Sequence, residues 1–182
     1  TLSSYHIQPI LMRAPAVFIV LLFCLQAGMG FVSAATPETI TVDGDVSEWS
    51  SDTELAVDGN GVSLHTTWDE NNFYIAWSGT DWASMSNGAD LFLYFNTSES
   101  GSVLSKDWNF AHTLPFAADY GFALEDSNYN QYFAYDGTSW ADQGQLSTSE
   151  IYVGWADNPV TEMAIPWSVI GSPTALQFMV YA

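Results

Sequence analysis

The sequence predicts an all-β fold, an antiparallel β-sandwich of jelly-roll-like type, and three observations carry that prediction. No stretch of useful length shows the 3.6-residue apolar period of an amphipathic helix. Runs rich in Val, Ile, Thr, Phe, Tyr and Trp recur at roughly 8–15-residue intervals, the spacing of short sandwich strands. Clusters of Gly, Asn, Asp and Ser separate the runs and supply turn chemistry. The chain has 182 residues, 48% hydrophobic and 15% aromatic, which suffices for one domain with a real core and leaves little room for two.

Residues 1–11 precede Met12 and read as upstream sequence outside the domain. Met12-Arg13-Ala14-Pro15 followed by the apolar run 16–25 forms a signal peptide over 12–34. Val32-Ser33-Ala34 offers small residues at its cleavage site. The uninterrupted apolar run is shorter than the roughly 20 residues a membrane span needs. The domain proper is 35–182, secreted or held at the cell surface. The sole cysteine, Cys24, leaves with the signal, so core size or a metal must hold this domain together.

Within it, strands are predicted at 38–42, 53–57, 62–68, 73–78, 89–95, 117–124, 129–135, 151–155, 161–165 and 176–181. Asp58-Gly59-Asn60-Gly61, Asp69-Glu70-Asn71-Asn72 and Asp157-Asn158-Pro159 supply turns, and 166–170 reads as a helical turn ended by Gly171. Two long loops, 79–88 and 96–115, are predicted, and loops of that length in a compact sandwich are usually functional or mobile. The chain stops inside its last apolar strand, which predicts a C-terminally incomplete sandwich with further strands, and further domains, downstream.

Charge narrows the partners. There are 21 Asp and Glu against 2 Lys and Arg, for a formal net charge of −19. The composition is too aromatic for a disordered acidic tail. The cations are Arg13 and Lys106, and cleavage of the signal leaves Lys106 alone. Nucleic acid and anionic membranes are excluded as partners, since nothing could neutralise phosphates.

Ile40-Thr41-Val42-Asp43-Gly44-Asp45-Val46-Ser47-Glu48-Trp49 resembles the opening of family 9 carbohydrate-binding modules and their DOMON-like relatives, which include the C-terminal domains of glucodextranase-type enzymes. Thr67-Trp68-Asp69-Glu70-Asn71-Asn72-Phe73-Tyr74-Ile75-Ala76-Trp77 looks like that family's hairpin. Asp90-Leu91-Phe92-Leu93-Tyr94-Phe95-Asn96 is similar to one of its strands. Thr161-Glu162-Met163-Ala164-Ile165-Pro166-Trp167-Ser168-Val169-Ile170-Gly171 is similar to its close. The four occur in the family's order between Ile40 and Ala182. The resemblance implies a β-sandwich that binds glycans without catalysis, often attached to polysaccharide hydrolases and often carrying structural calcium, with no organic cofactor.

Sugar binding rests on aromatic faces, against which pyranose C–H groups stack, with Asn, Asp or Gln partners for the hydroxyls. Trp68, Trp77 and Trp155 fall in predicted strands and Trp49 and Trp167 in the motifs, so these five read as core. Trp82, Trp108 and Trp140 lie in loops or at strand ends among polar residues and are the candidate platforms, with Asn109, Asn128 and Gln131 as polar partners. The resemblance favours Trp82, whose loop holds one of the family's two sandwiching tryptophans. The family's second tryptophan falls beyond the end of this chain. No basic residue stands where the family's site uses one, in the strand at 117–124.

Asp43, Asp45 and Glu48 form a D-x-D-x-x-E pattern that fits a side-chain-capped turn, a calcium site, or less well an acid pair. Asp90 and Asp119 are further candidate calcium ligands. Two alternatives use the same sandwich. One is a cell-surface structural or adhesion module. The other is a haem-binding electron-transfer domain, for which Met85, Met163, Met179, His65 and His112 are the available ligands. No Gly-rich phosphate loop, zinc spacing or nucleophile elbow is present.

The charge balance yields a prediction. Carboxylates that repel one another without cations nearby destabilise the compact state, and salt screens that repulsion. The melting temperature of the purified domain should rise by about 5 °C from low to high sodium chloride. Differential scanning calorimetry checks it.

Overall fold

The computed structural model describes residues 10–11, 37–49, 63–79, 90–98, 100–108, 110–154 and 158–181. Among these, twelve strands appear: β1 Ile10–Leu11, β2 Ser63–Trp68, β3 Asn72–Ser78, β4 Leu91–Asn96, β5 Ser102–Leu104, β6 Thr113–Ala118, β7 Tyr120–Leu124, β8 Asn130–Tyr135, β9 Trp140–Gly144, β10 Ile151–Val153, β11 Val160–Pro166 and β12 Ala175–Tyr181. A six-stranded sheet runs β1-β12-β4-β7-β8-β9, a four-stranded sheet runs β10-β11-β3-β2, and β5 pairs with β6. Every pairing is antiparallel. The fold is an all-β sandwich. Among the described residues no helix is long and apolar enough to cross a membrane.

Alternation along each strand decides what the two larger sheets bury between them. Phe73, Ile75 and Trp77 of β3 and Met163 and Ile165 of β11 face Leu91, Leu93 and Phe95 of β4 and Phe178 and Val180 of β12 in one core. Phe73 meets Phe95 edge-on at 5.5 Å and Phe178 at 5.3 Å, so aromatic edges join the sheets. Trp68 and Trp77 belong to this core, as expected.

The opposite face of the four-stranded sheet is covered by residues 37–49, where Ile40 and Trp49 pack on Tyr74, Ala76 and Ala164. Glu162, fully buried on β11, holds this segment down. Its carboxylate accepts from Asp43 N at 3.0 Å, Gly44 N at 2.6 Å and Trp49 Nε1 at 2.9 Å. Two of the four sequence motifs therefore meet at one buried charge. Gly44 has φ +88°, and a Cβ there would strike the Tyr152 ring and the Asn158 amide. That position needs glycine twice over.

Several sequence expectations are corrected. Residues 38–42 form no strand, and Glu38 N donates to Trp68 O at 3.0 Å. The single strand expected at 117–124 is two, β6 and β7, parted at Asp119, whose N–H turns to Phe95 O at 2.7 Å. Asp119 is buried as the anchor of the next turn, accepting from Thr97 N at 2.7 Å and Ser98 N at 2.8 Å. The long loop expected over 96–115 contains β5 and the start of β6, and neither β9 nor β1, which pairs with β12 from the segment expected to lie outside the domain, was expected. Trp167–Ile170 is a 3-10 turn ended by Gly171 at φ +78°, as expected. The strand expected at 53–57, the loop over 79–88, and Trp155 lie mostly or wholly outside the described residues.

Replacing Glu162 by Ala strands three N–H donors, two of them buried. The loss should be about 3–5 kcal/mol by urea denaturation. Glu162→Gln should lose about 2 kcal/mol, because its amide N–H₂ then faces other donors.

Candidate functional site

On β4 the residues between Leu91, Leu93 and Phe95 point away from the core, so Phe92 and Tyr94 face outward, joined by Met179 and Tyr181 of β12. A strap made of β5, residues 105–108 and 110–112, and β6 lies over this face, packing Leu114, Phe116 and Ala118 onto Tyr94 and Met179. The strap is bridged within itself between Asp107 and Phe110.

Asp107 ties the strap to the sheet. Its carboxylate is buried and takes donors from four directions: Tyr94 Oη at 2.7 Å, Tyr181 Oη at 2.6 Å, Ser105 Oγ at 2.8 Å and the His112 ring at Nδ1. Four donors fill the two oxygens of a carboxylate. Burial, together with the Asp107 charge and hydrogen bond, pushes the Tyr94 and Tyr181 phenols well above their ordinary value, so both remain donors. Tyr94 Oη also accepts from Lys106 N at 2.8 Å, which fixes the residue before Asp107.

From this anchor a run of rings leads outward. Tyr94 stacks on Tyr181 at 6.1 Å, Tyr181 meets Phe92 at 5.4 Å, Phe92 meets Trp108 edge-on at 6.3 Å, and Trp108 meets Tyr129 at 5.4 Å. The last two rings come from the strap and from the β7–β8 turn. Tyr129 is 55% exposed and Trp108 half-buried. Asn128 is exposed beside Tyr129, its N–H given to Asp126 Oδ1 at 2.6 Å. The structure thus places the Trp108 and Asn128 candidates on one surface and adds Tyr129 and Phe92.

The other candidates are elsewhere. Trp140 is half-buried at the start of β9, where its Nε1–H donates to Leu104 O at 2.8 Å and its ring packs edge-on against Tyr94 and Tyr135. It pins the strap's β5. Gln131 donates to Asp142 across β8 and β9. Trp82 and Asn109 lie outside the described residues.

The acidic pattern is built as a capped turn. Asp43 Oδ1 accepts from Asp45 N at 3.0 Å, Asp45 Oδ1 from Ser47 N at 2.9 Å, and Glu48 Oε1 from Thr41 N at 2.6 Å. Burial pushes the Glu48 carboxyl up, the Thr41 bond opposes this, and the charges of Asp43, Glu162 and Asp45 add to the rise. Among the described residues no three His, Cys, Asp or Glu side chains converge as a metal site. Asp90 stands just before β4, in the other sheet.

Of the residues offered for haem, Met85 lies outside the described residues and the other four are dispersed. His65 is on the outer face of the four-stranded sheet, 3.2 Å from Ser78 Oγ and 5.9 Å from the Trp49 ring, while His112 is on the strap over the other sheet. Met163 fills the central core and Met179 packs under the strap.

Sequence reasoning missed Tyr129 and Lys106. Tyr129 reads as the first residue of a strand, and the only hint to the contrary is the Asp126-Ser127-Asn128 run before it. No known family profile matches the chain, and no curated protein matches its sequence.

Asp107→Ala should free the strap. Amide exchange over 102–118 should accelerate while the central core stays protected, with a loss of about 3 kcal/mol in stability. Tyr181→Phe, which removes one of four donors, should lose about 1 kcal/mol.

Proposed function

We propose that this domain is a secreted, non-catalytic carbohydrate-binding module that stacks neutral polysaccharide or oligosaccharide on loop tryptophans, as an accessory part of a larger glycan-processing protein. The observation that carries the reading is the surface pairing, at 5.4 Å, of Trp108 on a strap anchored by a buried carboxylate with the exposed Tyr129 of the β7–β8 turn. Two tilted rings offer π-faces to the C–H side of a pyranose, and Asn128 beside them offers amide groups for hydroxyls. Rigid aromatic anchors lose little rotamer freedom on binding, which favours them as platforms. The ordered resemblance of four motifs to glycan-binding sandwiches supports the same reading, and the net charge of −19 disfavours polyanionic partners.

Tryptophan fluorescence titrated with neutral glucan and xylan oligosaccharides tests it. A saturable shift is expected for the parent protein, weakened at least tenfold, or about 1.4 kcal/mol, by Trp108→Ala. Trp82→Ala tests the loop that the family resemblance favours. No shift with any neutral glycan would sink the reading.

Calcium belongs to the proposal at the capped turn. Asp43, Asp45 and Glu48 share one turn, although among the described residues their side chains do not converge as a preformed metal site, and hard oxygen donors suit that ion. A cation there would offset the repulsion from Asp43, Glu162 and Asp45 that raises Glu48. Millimolar calcium should raise the melting temperature reversibly by chelator in the parent protein and not in Asp45→Asn/Glu48→Gln; an unchanged parent melting temperature excludes it.

A further inference from the structure

Lys106 is the one cation the chain holds after Arg13, against 21 acidic residues. Among the described residues the charged pair within ion-pair distance is His112 with Asp107, and Lys106 has no carboxylate at that range. Its ammonium donates instead to Trp108 O at 3.3 Å and lies 6.0 Å from the centre of the buried Phe133 ring. A lysine ammonium has three N–H donors, so one neutral acceptor leaves capacity. Its backbone is held on both sides, by Tyr94 Oη through Lys106 N and by the four donors on Asp107. A half-buried positive charge on a fixed strap, bonded to the backbone of the half-buried Trp108 whose ring meets the exposed Tyr129, is a preorganised anion contact.

Resting on the carbohydrate-binding reading, we infer that the Lys106–Trp108–Tyr129 surface selects a neutral glycan backbone bearing an isolated anionic substituent. One pyranose lies on the rings while the substituent's anionic oxygen meets the Lys106 ammonium. The isolation follows from the neighbours. Glu125 and Asp126 share the turn with Tyr129, and a polyanion would set its remaining charges against them and against the acidic surface. Screening over about 8 Å at physiological salt lets a single charge near Lys106 escape that penalty. A uronic acid carboxylate and a sulfate ester share this chemistry.

Calorimetric titration with a matched set of oligosaccharides tests the inference. The set comprises the unsubstituted backbone, the backbone with one uronic acid branch, the backbone with one sulfate ester, and a homopolymeric uronate. At least one singly substituted ligand should bind about fivefold tighter than the plain one, as expected for an exposed ion pair. The arm that gains identifies the source. The advantage should vanish in Lys106→Gln, survive in Lys106→Arg and shrink at high salt, with melting temperatures confirming that both variants fold. Tyr129→Ala, on an exposed turn, should weaken all ligands together. Equal affinity for plain and substituted ligands, an advantage that survives Lys106→Gln, or tight binding of the polyuronate overturns the inference while carbohydrate binding stands. Absence of binding by every member of the set overturns both.

Discussion

A carboxylate withdrawn from water must find hydrogen-bond donors, and in this sandwich that requirement closes both outer faces. On the four-stranded sheet Glu162 collects two backbone N–H groups and an indole N–H from residues 43–49. On the six-stranded sheet Asp107 collects two phenols, a serine hydroxyl and an imidazole. The two solutions run in opposite directions. Glu162 belongs to the sheet and captures a loop, whereas Asp107 belongs to a loop and captures side chains of the sheet. Without the second, the strap would rest on the packing of Leu114, Phe116 and Ala118 and on the single bonds from Lys106 N to Tyr94 Oη and from Trp140 to Leu104 O, and Trp108 would be held less firmly.

That division explains why the strap can present a surface at all. Aromatic rings on a free loop would collapse onto the nearest apolar area. Here Tyr94, Tyr181 and Phe92 already occupy that area, and Trp108 and Tyr129 are left at the outer end of the run. A seemingly equivalent tryptophan, Trp140, is used up in holding β5 through Leu104 O. Two tryptophans with similar polar neighbours in sequence thus take different parts, one closing the strap and one standing at its edge.

The strands of the two principal sheets were legible in sequence because alternation and turn chemistry are local. Phe73 to Trp77, Leu91 to Phe95 and Leu176 to Val180 read correctly as strands. What was not legible depended on distant partners. Glu162 reads as an exposed residue or a motif letter until the residues 113 and more positions away fold onto it. Asp107 sits in what reads as a polar loop, and its donors come from β4 and β12 as well as from the strap. The break at Asp119 escaped for the same reason, since local propensity favours an unbroken strand and the side chain's work is on Thr97 and Ser98. At the candidate site, Trp108 and Asn128 were readable as exposed types in polar context. Their proximity, and the roles of Tyr129 and Lys106, required the strap to be placed.

Net charge and aromatic placement act at different ranges. On the proposed reading the −19 disfavours polyanionic partners at a distance, and selection among the rest would fall to a few side chains on the strap edge. The central claim is spatial: that the strap over the six-stranded sheet is where a glycan docks. A crystal structure of the domain with a bound neutral oligosaccharide tests it most directly. The account predicts a pyranose ring against Trp108 and Tyr129, with the Asp107 cluster unchanged beneath. Sugar density seated only elsewhere on the sandwich, with the Trp108–Tyr129 surface bare, would contradict it.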